Sequence, residues 1–166
     1  MIKYACIDVG LKRIGLALCL DENIVMPQMA ILRKNRNQAS RDVKKFLIDW
    51  NIDTLIVGLP KDGSSSEEME RRIKHFVSLI NIDIPIIYQD EQGSSIEAKE
   101  IMKGEIKYKR DGRLDSIASK IILERYLLTI RWKSKLNNYK NIKDIVLSTV
   151  FILRGIYYVE KVWNYK

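Results

Sequence analysis

The sequence predicts an α/β fold: a mixed sheet of three antiparallel strands followed by parallel strands, flanked by helices. Two observations carry this. The first third consists of apolar runs separated only by short turns, and the remainder alternates helical periodicity with short apolar segments. A third, compositional observation sets the scale: 166 residues with 46% hydrophobic and 30% charged side chains suit one globular core rather than a disordered chain.

The elements follow in order. "IKYACI" is a near-continuous apolar strand, "IGLALCL" returns across a short basic turn, and "NIVMPQMAIL" follows the turn at Asp21–Asn23. Asn37 is the expected cap of a helix whose Val43, Phe46, Leu47 and Trp50 share a stripe. "TLIVGLP" reads as a strand buried on both faces, as in a parallel sheet. After "KDGSSS", Ser65 and Glu68 stand at capping-box spacing before a helix with Met69, Ile73, Phe76, Val77 and Ile80 on one side. "IPIIYQDE" is a strand ending in acid, "SSIEAKEIM" a helix expected to begin at a serine cap, and "LDSIASKIILERYLL" a helix with Asp115 in its first turn. "KGEIKYKRDGR" between the last two has no periodicity and reads as a basic loop.

The net charge of +8 is uneven: residues 1–128 carry +2 and residues 129–166 carry +6. A basic balance favours polyanions such as nucleic acid. Cys6 and Cys19 lie inside apolar strands and read as free buried thiols, since a disulfide scaffold needs more cysteines in a shorter chain. The amino terminus lacks signal-peptide organisation, so a cytoplasmic location is expected. The longest uncharged runs, Asn23–Leu32 and Ile145–Leu153, fall well short of the roughly 20 residues a membrane-spanning helix needs.

Three acids share one kind of placement. Asp8 and Glu91 each follow an apolar strand at its carboxyl end, where sites form in open α/β sheets, and Asp115 opens an amphipathic helix. An isolated buried charge is expensive unless paired or bound to metal. An all-carboxylate set suits Mg²⁺ or Mn²⁺ and disfavours zinc. Two such ions about 4 Å apart can hold both oxygens of an in-line phosphodiester displacement. The lone His75, on a polar helix face, is assigned no chemistry.

"IDVGLKRIGLAL", "LIVGLPKDGSS", "DEQGSS" and "LDSIAS", in this order over residues 1–128, resemble the YqgF-type family of pre-16S rRNA nucleases, also described as Holliday junction resolvase-like. The resemblance implies a ribonuclease H-like fold and Mg²⁺- or Mn²⁺-dependent phosphodiester hydrolysis, with Asp8, Glu91 and Asp115 as catalytic, metal-holding residues. The implied substrate is structured RNA, at the 5′ end of precursor 16S rRNA. Branched DNA cut by a Holliday junction resolvase is the alternative, and a nucleic-acid-binding module with a vestigial site a third reading. One departure bears on the last. The family has Arg after the "DE" pair where this chain has Gln92, which cannot grip phosphate bidentately. Lys12, Arg13, Lys61, Ser64, Lys109 and Arg110 are the expected substrate-backbone contacts.

Residues 129–166 lie outside the resemblance and form a basic, aromatic C-terminal extension. They carry half the aromatic residues, including Trp132, Phe151 and Trp163. Such a composition suits either a platform for single-stranded nucleic acid or an apolar packing element, and the expectation is packing, with a homodimer as one outcome.

Overall fold

The computed structural model describes residues 1–21, 23–60, 66–91, 93–102 and 112–138. Among the described residues nine elements follow the predicted order: β1 (Tyr4–Val9), β2 (Arg13–Cys19), β3 (Val25–Leu32), α1 (Arg36–Asp49), β4 (Thr54–Leu59), α2 (Ser66–Ile80), β5 (Ile86–Asp90), α3 (Ser94–Ile101) and α4 (Arg113–Asn138). The strands form one sheet in the order β3-β2-β1-β4-β5. β1 pairs antiparallel with β2 and β2 with β3, whereas β1–β4 and β4–β5 are parallel. The division follows from the connections: turns of a few residues can only reverse a strand, and a helix is needed to return it parallel.

The strand alternation divides the interior. Ala5, Ile7 and Val9 of β1 join Val43 and Leu47 of α1 and Ile73, Phe76, Val77 and Ile80 of α2 in one continuous core. Tyr4 and its alternates point the other way, and the Tyr4 ring meets Tyr126 of α4 edge-on at 5.9 Å between centroids. Ala98 of α3 packs with Ala118 and Ile121 of α4 in a smaller cluster. β4 is buried along its whole length, as a central parallel strand must be. Both cysteines are free and buried, and His75 is exposed.

Four details differ from the sequence reading. The cap of α1 is Asn35, whose side chain accepts a hydrogen bond from the Gln38 amide at 2.8 Å, and this leaves Asn37 inside the first turn. Trp50 is the exposed residue at the other end rather than a core member. α3 begins after Gly93, not at a serine cap: Ser94 is already helical and buried, and its amide donates to the Glu91 carbonyl at 3.0 Å. α4 also runs past Leu128 to Asn138. Ser65 and residues 139–166, including the apolar segments of the extension, lie outside the described residues. Among the described residues no helix is long and apolar enough to cross a membrane.

Candidate active site

The site is built on one transverse row of the sheet. Asp8 pairs across β1–β2 with Gly15, and on the other side Ile7 is level with Val57, which puts Gly58 beside Asp8. Side chains in one row of adjacent strands project to one face. Asp8 is therefore flanked on both sides by residues without side chains.

Both glycines clear space for something specific. A Cβ on Gly15 would collide with the backbone carbonyl of Asp115, and would stand 2.6 Å from the Ser119 hydroxyl. The first turn of α4 thus rests directly on β2, its geometry fixed by the Ser119 hydroxyl donating to the Asp115 carbonyl at 3.0 Å. A Cβ on Gly58 would lie 2.9 Å from both Glu91 Oε2 and Ile122 Cδ1. β4 separates β1 from β5, so Asp8 and Glu91 do not sit on neighbouring strands. The missing side chain at position 58 lets the Glu91 carboxylate lie over β4.

The chain places Glu91 for this role and not Asp90. β5 ends at Asp90, whose pairing with Leu59 continues the ladder, and the Glu91 amide still donates to the Leu59 carbonyl at 3.2 Å. Alternation then puts Gln89 and Glu91 on the face of Gly58, opposite to Asp90.

The electrostatics report a cluster of like charges. Burial, followed by the charges of Glu91 and Asp115, pushes the Asp8 carboxyl up to about 7. Glu91 is raised by burial and then by Asp90. Burial raises Asp115 as well, against which the Arg13 guanidinium pulls it down. Beneath them the Cys6 thiol is pushed up by burial, then by Asp8 and Glu91. An acid raised by two neighbouring carboxylates, as Asp8 is, lacks sufficient positive charge beside it. Among the described residues, no group of three or more His, Cys, Asp or Glu side chains is spaced to hold one ion by itself. Mg²⁺ commonly takes only one or two carboxylates, completing its shell with water and substrate phosphate. The donor chemistry of Asp8, Glu91 and Asp115 fits such an ion.

A model of the RuvX family, described as Holliday junction resolvase, matches residues 2–129. The chain belongs to the RuvX family. A Sulfurovum relative named "Putative pre-16S rRNA nuclease" is 70% identical over 126 residues, covering 76% of this chain and 98% of the relative. One of the same name from Sulfurimonas denitrificans is 57% identical over 126 residues, covering 76% of this chain and 97% of its own length. Among solved structures, Thermus thermophilus RuvC in complex with a Holliday junction substrate superposes with a TM-score of 0.51 at 10% identity, covering 78% of this chain and 96% of that one. That similarity bears on the fold, which is the ribonuclease H-like mixed sheet of RuvC.

The remaining expected contacts divide into two groups. Lys12 is exposed in the β1–β2 turn, and Arg13 opens β2 beside Asp115. Lys61, Ser64, Lys109 and Arg110, together with Gln92, lie outside the described residues. Gly15 and Gly58 were not singled out from the sequence, although a glycine inside an apolar strand signals close approach of another group.

Proposed function

We propose that this RuvX-family chain is an endonuclease that hydrolyses phosphodiester bonds with a divalent cation, Mg²⁺ or Mn²⁺, and that its substrate is precursor 16S rRNA near the 5′ end. The observation that carries the catalytic reading is the row Gly15–Asp8–Gly58, which puts an electrostatically coupled acid where Asp115 and Glu91 approach from either side. The names of the Sulfurovum and Sulfurimonas relatives support the RNA substrate.

Asp8, Glu91 and Asp115 would hold the cation. When bound, it supplies a nucleophilic hydroxide from water and neutralises charge on the phosphoryl oxygens. The chain's own part is to hold the carboxylates in position: Asp8 on a ladder-bonded strand, Glu91 across Gly58, Asp115 on a helix turn seated on Gly15. Arg13 steadies Asp115 by its charge. Lys12 and Arg13, with Lys61, Ser64, Lys109 and Arg110, contact the substrate backbone.

A second reading, cleavage of four-way DNA junctions, is favoured by the description of the family itself. Purified protein incubated with Mg²⁺ or Mn²⁺ on precursor 16S rRNA and on four-way junctions decides between them. The expected result is cleavage of the RNA on its 5′ side, stopped by EDTA. Junction cleavage alone supports the second reading, and cleavage of neither overturns both.

A further inference from the structure

On the opposite face of β1 from Asp8, a cleft of about 190 Å³ is lined by Val9, Leu11, Arg33, Arg36, Met69, Arg72 and Ile73. Its floor is apolar, from Val9 and Ile73 of the main core. Its rim is cationic, and among the described residues no acidic residue lines it. The three arginines come from different places. Arg33 follows β3, Arg36 opens α1, and Arg72 belongs to α2.

Their partners show what is already committed. Arg33 donates from Nη1 to the Gly10 carbonyl at 2.8 Å, and its guanidinium lies 5.2 Å from the centre of the Phe76 ring. Arg72 pairs with Glu68 one turn back on α2 at 2.5 Å. Among the described residues no carboxylate pairs with Arg33 or with Arg36. Instead the two repel: the Arg33 pKa is lowered by burial and then by the Arg36 charge. Arg33 and Arg36 line the cleft with no carboxylate paired to either among the described residues and leave forked donors for an oxyanion, while Arg72 adds positive charge at the rim from its pair with Glu68.

We propose that this cleft binds one nucleotide of a single-stranded segment, its phosphate on Arg33, Arg36 and Arg72 and its base against Leu11 and Met69. Planar guanidinium groups and apolar side chains are the surfaces on which unstacked bases rest. Leu11 is 67% exposed at the mouth of the cleft, where its side chain offers an apolar surface to a base. The location matches the ligand. Val9 follows Asp8 directly, and Arg33 grips Gly10, so one strand crossing the sheet edge reaches Asp8 on one face and the cleft on the other. The proposal rests on the nuclease reading for the identity of the ligand and adds the place where the strand is gripped away from the scissile bond.

The test measures binding in EDTA, which keeps cleavage out of the readout. Anisotropy of a fluorescein-labelled octanucleotide RNA is followed against salt for the full chain, for Arg36→Glu, for Arg72→Glu and for Lys45→Glu, a same-charge change away from the cleft. Arg36→Glu is expected to weaken binding on the order of tenfold, as for a lost charged hydrogen bond. The slope of log affinity against log salt should fall by about 0.7 per lost contact. Lys45→Glu should do neither. Unchanged affinity and slope in both folded arginine variants overturns the proposal, and so does an equal loss in Lys45→Glu. Adenosine monophosphate should compete at lower concentration than inorganic phosphate; equal competition overturns the assignment of a base to the cleft. The two readings fail separately. Arg36-dependent binding without cleavage of precursor rRNA removes the nuclease and keeps the cleft, whereas cleavage with Arg36-independent binding removes only the cleft.

Discussion

Two consecutive residues of β1 open onto opposite chemistries. On the α4 face, Asp8 lies between two glycines with Glu91 and Asp115 close enough to raise its pKa, and the local charge is negative. On the α1–α2 face, Val9 floors a cleft whose charged lining, among the described residues, is Arg33, Arg36 and Arg72. Strand alternation alone separates them, because successive side chains point to opposite faces. The sheet thus keeps a cluster of acids and a set of arginines at one strand end on opposite faces.

The largest expected effect breaks the acidic side alone. Asp8→Asn removes the charge at the centre of the row and no basic group, so cleavage should fall by about a thousandfold, the scale of several kcal/mol of metal-assisted stabilisation. Parallel cleavage and gel-shift measurements check it, with nucleic-acid binding retained. Full activity in this variant would place the cation elsewhere.

Next in size is the seat of α4. Gly15→Ala drives a methyl group into the Asp115 backbone, which cannot swing aside as a side-chain end could. Overpacking of this kind costs about 1–3 kcal/mol, and thermal or urea unfolding should show it together with lost cleavage. The arginine cleft, made by α1 and α2, should keep its share of RNA binding at temperatures where the variant is folded.

The third prediction concerns pH. A carboxyl whose folded-state pKa lies above its ordinary value binds a proton more readily in the native than in the unfolded protein. Its stabilising contribution is present at low pH and lost as pH rises from about 4 through about 7. Metal-free protein should therefore melt lower at pH 8 than at pH 5, and Asp8→Asn should recover on the order of 4 kcal/mol at pH 8. Mg²⁺ should raise the wild-type melting temperature more at pH 8 than at pH 5 and should do little for the variant. Equal Mg²⁺ effects at both values would detach the cation from these carboxylates.

The smallest effect sharpens the geometry. Gly58→Ala adds a methyl group 2.9 Å from Glu91 Oε2 and Ile122 Cδ1, both ends of movable side chains. Stability should change little, while displacement of the carboxylate should lower the cleavage rate by roughly tenfold, the cost of misplacing one group. Single-turnover cleavage beside a thermal melt separates the two.

Much of this was legible in the chain itself. Short turns after β1 and β2 dictated antiparallel pairing, and apolar β4 with helices on either side dictated the parallel half, since both are local consequences of connection length and periodicity. Asp8, Glu91 and Asp115 stood out because each ends a strand or opens a helix. The capping residues were less legible: Asn35 and Asn37 are equally plausible by type, and only the reach of the Asn35 side chain to Gln38 separates them. The order and type of the elements, and which acids sit at strand ends, follow from local sequence. Only the tertiary structure puts β4 between Asp8 and Glu91, lets Gly15 and Gly58 make room beside Asp8, and brings Arg33, Arg36 and Arg72 to one cleft. Residues 15, 58, 91 and 115 share no local period with residue 8, and strand order and helix seating are set by how the whole core closes.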